Sequence, residues 1–195
     1  MASRPFNYLI EQSLSAITRL RGLEDAVSAA SLLMADALAS GRKILCCGNG
    51  GSAAESGHLA TELLCRLEKD RRALPALNLS GDASFMTATA NDYTFDEVFA
   101  RQVTGLAQEG DVLVAFTTSG NSKNILRALE AARESGIRSI ALLGRDGGKA
   151  AALADIPLIV PAPATMNIQE AHQVLLHILC VQIEDALFPG LNVME

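Results

Sequence analysis

His58 and Glu62 stand four residues apart, a spacing that brings both side chains to one face of a helix, ~40° apart around its axis. An imidazole and a carboxylate so placed can hold a metal ion or move a proton, and a solvated pair is the alternative that the spacing leaves open. Just upstream, Ile44–Cys47 is an apolar run bounded by Gly41 and Gly48, which predicts a strand buried on both faces. Gly48-Asn49-Gly50-Gly51 then forms a glycine-rich turn, and Ser52 is expected as the N-cap of the helix that carries His58 and Glu62. Glycines allow close backbone approach, and the uncapped N–H groups of a new helix face outward, so this turn is a candidate anion site, most often a phosphate site. It lacks both the dinucleotide spacing and the P-loop pattern, and an ordinary strand-turn-helix unit remains the other reading.

A second turn of the same kind follows the apolar run Val112–Phe116: Thr117-Thr118-Ser119-Gly120-Asn121-Ser122, ahead of a helix predicted over 123–134. Hydroxyls and backbone N–H groups there can wrap a phosphate together. The last helix, expected over 167–187, carries Gln169, Glu170, His172 and His177. Gln169 and His177 are ~80° apart and can face one pocket, whereas His172 lies on the other side. His177, flanked by Leu176 and Ile178, reads on its own as a buried histidine or as a ligand.

The elements that must position these residues alternate. Two helices divided near Gly22 precede the first strand, and Gly41 ends the second of them. This N-terminal helical arm, about 6–40, is expected to pack on a neighbouring subunit, with capping of its own sheet as the other reading. After Pro75 come a strand over 76–79, a short helix over 83–89, a polar break at Asn91-Asp92-Tyr93 and a helix over 95–107. Strands over 138–142 and 157–160 complete five. Strand-helix alternation at this spacing predicts an α/β three-layer sandwich, a parallel sheet with helices on both faces and ligands at the carboxyl ends of the strands.

At 195 residues the chain matches the length of one domain, taken as 1–195, able to bury roughly 70% of the surface its unfolded form exposes. The charge is −6 with no basic run, so no direct nucleic-acid partner is expected. No apolar segment reaches membrane-spanning length and the N-terminus has no signal-peptide core, which makes the cytoplasm the expected location. Cys46, Cys47, Cys65 and Cys180 lie in apolar patterns without C-x-x-C spacing and are expected as small reduced core residues.

Four motifs in order, C-G-N-G-G-S with H-x-x-x-E, Asn91-Asp92, T-S-G-N-S at 118–122 and I-Q-E-x-H-x-x-x-x-H at 168–177, resemble the phosphoheptose isomerases of the sugar isomerase (SIS) superfamily, over about residues 8–187. The resemblance implies a homotetramer that converts sedoheptulose 7-phosphate to D-glycero-D-manno-heptose 7-phosphate for lipopolysaccharide precursor synthesis. It implies one zinc per subunit on His58, Glu62, Gln169 and His177, with Glu62 and His177 as the proton-transferring pair. It implies substrate contacts from Asn49, Gly50, Gly51, Ser52, Glu62, Arg66, Asn91, Asp92, Thr117, Thr118, Ser119, Ser122 and Gln169. Before I-Q-E the family often has Arg or Lys where this chain has Asn167. A non-catalytic SIS relative that associates with the bacterial replication initiator resembles the chain over the same length, sharing C-C-G-N-G and the ending A-L-F-P. Glu62 and His177 match the enzymes instead. A phosphosugar-sensing module is the third reading.

Overall fold

The computed structural model describes residues 4–193; the ends of the expected 1–195 domain, residues 1–3 and 194–195, lie outside the described residues. Helices α1 (Phe6–Thr18) and α2 (Glu24–Ala39) precede β1 (Ile44–Gly48), and a 3₁₀ segment, Arg19–Leu23, joins them around Gly22. Then follow α3 (Gly51–Leu64), β2 (Ala76–Asn78), α4 (Ala83–Asp92), α5 (Ala100–Leu106), β3 (Val112–Thr117), α6 (Lys123–Glu134), β4 (Arg138–Gly144), β5 (Ile156–Val160) and α7 (Thr165–Leu187). The segment expected as one helix over 95–107 is a 3₁₀ turn, Phe95–Glu97, followed by the shorter α5. Asn91 and Asp92 are not a break but the last residues of α4.

The five strands pair in parallel, in the order β2-β1-β3-β4-β5. Alternate side chains feed two cores, as the two-residue period of a strand requires. Ile44, Cys46, Val112, Val114, Phe116, Ile140 and Leu142 face α1, α2, α3 and α7. Leu45, Cys47, Leu113, Ala115, Ala141 and Leu143 face α5 and α6. The sheet is therefore the middle of three layers, with buried apolar strands as expected of an all-parallel sheet.

Strand order reverses direction between β1 and β3, and the crevice at such a switch point is where α/β sheets take ligands. Gly48 of β1 sits in register with Phe116 of β3, so the 48–51 and 117–122 turns emerge side by side. Ser80 secures this end of β1: its Oγ donates to Gly48 O (2.9 Å) and accepts from Gly48 N–H (3.1 Å).

α3 and α7 pack against each other on the α1/α2 side. Beyond α3 the chain is tied to α7 by Glu184, whose buried carboxylate accepts the backbone N–H groups of Leu67, Glu68 and Lys69 and pairs with Arg71 at 2.8 Å. Cys46, Cys47 and Cys180 are buried free thiols, and burial pushes the Cys47 thiol up to about 12. Cys65 departs from expectation: it follows the end of α3 and is exposed. No helix among the described residues is long and apolar enough to cross a membrane.

Candidate functional site

The turn after β1 begins a helix without a side-chain cap. Gly50, not Ser52, is the N-cap residue, with φ of 57°, a backbone conformation that glycine adopts without strain. Ser52 lies inside the first turn of α3, buried, with its N–H on Asn49 O. Asn49 is locked by reciprocal amide hydrogen bonds with Asn124 of α6, both 2.8 Å. This pair fixes the first turn against the second.

A cavity of about 220 Å³ opens between them, lined by Asn49, Gly51, Ser52, Phe116, Thr117, Thr118, Ser122, Thr165 and Gln169. Three helices begin around it: α3 at Gly51, α6 just after Ser122 and α7 at Thr165. Their positive dipole ends and uncapped N–H groups converge with the hydroxyls of Ser52, Thr117, Thr118 and Ser122, which suits an anion. Ser119 lies on the rim turn, its Oγ accepting from Asn121 N–H at 3.2 Å. Thr165 and Asn124 were not singled out in the sequence; Thr165 precedes the expected helix start, and Asn124 is hidden in an ordinary first turn.

The 117–122 turn rests directly on the 145–148 loop. Gly120 has φ of 63°, and a Cβ there would lie 1.9 Å from the backbone oxygen of Gly147. Gly120→Ala is expected to cost about 1–3 kcal/mol, because backbone on both sides must give. Gly22→Ala, with open space at its Cβ and no positive φ, is expected to be neutral or stabilising by up to about 1 kcal/mol. Urea denaturation of the two variants checks the contrast.

Two turns along α3 from the cavity, His58 Nε2 meets Glu62 Oε1 at 2.8 Å. His177 of α7 faces them, its Nε2 3.4 Å from His58 Nε2, with the two rings edge to face. One nitrogen from each histidine and one Glu62 oxygen lie within 4.8 Å of one another, all half-buried. Two imidazoles and a carboxylate converging in this way can hold a metal ion.

Gln169 lines the cavity, its amide packing over Gly51, where an added Cβ would meet Nε2 at 2.1 Å. The amide hydrogen-bonded to both imidazoles is that of Gln173, 2.6 Å from His58 Nδ1 and 3.3 Å from His177 Nε2. In the sequence 173 is four residues from both 169 and 177 and so shares their helix face, which by itself does not single it out. His172 lies apart, as its helical angle requires. It is fully buried, its Nε2 3.2 Å from Leu143 O and its Nδ1 3.6 Å from Glu55 Oε2. Arg66, Asn91 and Asp92 are exposed and line neither cavity nor cluster; Asn91 donates to Asp92 at 2.8 Å. Asn167 is buried, donating to Ser13 Oγ and Glu170 Oε2, so an uncharged side chain fits this position.

A larger groove of about 510 Å³, between the α1–α2 junction and α7, is lined chiefly by Ile17, Leu20, Val27, Val174, Leu175 and Ile178. It has no cluster of hydroxyls or metal-ligating groups, so chemistry favours the smaller cavity.

The SIS domain family model matches residues 8–144. A phosphoheptose isomerase of Geobacter sulfurreducens is 50% identical over 169 residues, covering 87% of this chain and 89% of that protein. One of Shewanella denitrificans is 43% identical over 192 residues, covering 97% and 98%. Among solved structures, a phosphoheptose isomerase from Francisella tularensis matches with a TM-score of 0.88 at 39% identity, over 92% of this chain and 96% of that one. One from Neisseria gonorrhoeae matches with 0.87 at 43% identity and the same coverage. An anion-suited cavity and a His-Glu-His cluster on α3 and α7 agree with that likeness: the chain belongs to the SIS-domain family and, within it, to the phosphoheptose isomerases.

Proposed function

We propose that the chain isomerises sedoheptulose 7-phosphate to D-glycero-D-manno-heptose 7-phosphate, a step of heptose supply for lipopolysaccharide precursors. The observation that carries this reading is the pairing, along α3 and α7, of a three-helix anion cavity with the His58–Glu62–His177 cluster. The cavity suits the phosphate: Ser52, Thr117, Thr118 and Ser122 offer hydroxyls, and Asn49, Gly50, Gly51 and Ser119 belong to the turns that shape it. Anchoring one end of the sugar lets the reacting carbons be oriented by binding far from them.

Ketose–aldose exchange moves a proton between C1 and C2 through an enediol, so one group must take a proton and another must serve the oxygens. Glu62 and His177 divide these roles in the proposed mechanism. The same cluster supplies two imidazole nitrogens and a carboxylate oxygen, which fits one zinc per subunit in the three-ligand manner of catalytic sites. When bound, such an ion supplies Lewis-acid stabilisation of the negative charge that develops on the substrate oxygens. Gln169, a metal ligand by resemblance, reads here as a cavity residue facing the substrate. Arg66, Asn91 and Asp92 stand at the exposed ends of α3 and α4, where sugar contact would involve a neighbouring subunit of the proposed homotetramer. The exposed apolar side chains of Phe6, Tyr8, Ile10 and Leu14 on α1 support that assembly. A cytoplasmic setting belongs to the same proposal, supported by the free thiols.

The test is turnover of sedoheptulose 7-phosphate by the purified protein, with metal content measured on the same sample. Aldose product with about one zinc per subunit supports the reading. Absence of turnover after zinc is restored overturns it and directs attention to a pull-down with the replication initiator.

A further inference from the structure

One side chain bridges the two imidazoles. Gln173 is half-buried on α7, its Nε2 2.6 Å from His58 Nδ1 and 3.3 Å from His177 Nε2. The opposite nitrogen of His58, Nε2, lies 2.8 Å from Glu62 Oε1. An ionised carboxylate only accepts, so His58 Nε2 carries the ring proton toward Glu62, and Nδ1 presents a lone pair to the amide N–H. The second amide N–H is within reach of His177 Nε2, which likewise presents a lone pair.

We propose that Gln173 is the positioning residue of this centre and selects which nitrogen of His58 is protonated. In the metal-free protein its two N–H groups donate to His58 Nδ1 and His177 Nε2. Resting on the metal reading above, the second half follows: when His58 Nε2 is given to a metal ion, the ring proton moves to Nδ1. The amide then turns about its last torsion and accepts that proton's hydrogen bond with its oxygen. The ring gains and loses one proton, so its charge is unchanged. Few side chains can serve both tautomers; an amide, with donor and acceptor on one planar group, does so by a half-turn. A hydrogen bond to the non-ligating nitrogen of a metal-binding histidine fixes ring orientation and raises basicity, and losing one typically weakens metal binding 10–100-fold.

The chain has three histidines, so histidine-selective ¹⁵N labelling gives three ring systems, and buried His172, held on Leu143 O, serves as the internal reference. Long-range ¹⁵N–¹H correlation of the metal-free wild type is expected to show His58 as the Nε2–H tautomer, changing to Nδ1–H with one equivalent of zinc. Gln173→Met keeps length and volume but removes donor and acceptor. It is expected to leave His58 a mixture of tautomers and to weaken zinc about 10–100-fold in competition with a chromogenic chelator. Gln173→Glu keeps only the acceptor, and is expected to restore the Nδ1–H form and zinc retention while losing the metal-free Nε2–H form. If Gln173→Met keeps the wild-type His58 signals and binds zinc within twofold of wild type, the proposal is overturned. A wild type that takes up no zinc removes the metal reading and the second half with it. The metal-free spectra of wild type and Gln173→Met still decide the first half.

Discussion

Replacing Glu62 by Gln is expected to lower isomerisation by about 10²–10⁴-fold, the range for loss of a positioned proton-transfer group. The substitution keeps the shape of the side chain and removes the carboxylate that accepts from His58 at 2.8 Å. Glu62 is half-buried, its side chain 16% exposed. His177→Ala is expected to fall in the same range. Groups that act as a unit are non-additive, so the double variant should be little worse than either single one. Turnover and zinc content measured together separate the two jobs assigned to the carboxylate. A Glu62→Gln protein that holds its zinc and still loses turnover locates the loss in proton transfer. One that retains turnover within tenfold removes Glu62 from that role.

The second large effect concerns stability. Glu184→Gln is expected to cost about 3–5 kcal/mol at neutral pH, the usual penalty for breaking a buried ion pair from one side. Arg71 and Glu184 are 0% and 1% exposed, and the variant leaves the guanidinium and three backbone N–H groups facing an amide that can satisfy only some of them. At roughly 2–4 °C per kcal/mol for a chain of this size, the melting temperature should fall by about 6–20 °C at fixed protein concentration. Burial pushes the Glu184 carboxyl up, but the N–H groups of Leu67, Lys69 and Glu68 and the Arg71 charge outweigh it and hold it below the ordinary glutamate value. A depressed folded value stabilises the protein fully above the unfolded value, about 4.3, and that contribution fades as pH falls through the folded one. The gap between wild type and Glu184→Gln should therefore be widest near neutrality and narrow on acidification below about pH 4. Urea midpoints at pH 7 and at progressively lower pH measure it; a gap that widens with acid would contradict the assignment.

What could be read before folding and what could not divides along physical lines. Strands buried on both faces are short apolar runs between turn formers, so β1 and β3 fall within a residue of their expected positions. Helix α6 begins and ends as expected because Ser122 and Gly136 bracket it. The start of α3 was misread at Ser52: a serine is a strong capping signal, whereas the φ of 57° at Gly50 is a property of the folded backbone. Asn91 and Asp92 read as a break because polar pairs end helices, yet here they form the exposed last turn of α4. His58, Glu62 and His177 come together as their helical angles allow. Which amide joins them was not legible, since 169 and 173 share one face and only the side-by-side packing of α3 and α7 distinguishes them. Asn49 and Asn124, 75 residues apart, meet only through the register of β1 with β3.

α3 runs uninterrupted from the cavity to the cluster and contributes to both. From Gly51 at the cavity to His58 at the cluster is seven residues, about 10 Å of α-helical rise, and seven residues return to nearly the same face. Backbone hydrogen bonds fix that separation, and no side-chain rotation alters it. α3 is in effect a ruler. Whatever is gripped at its first turn presents to the cluster only the atoms that lie one fixed span away, so distance along the ligand is measured by peptide geometry rather than by the shape of a pocket wall.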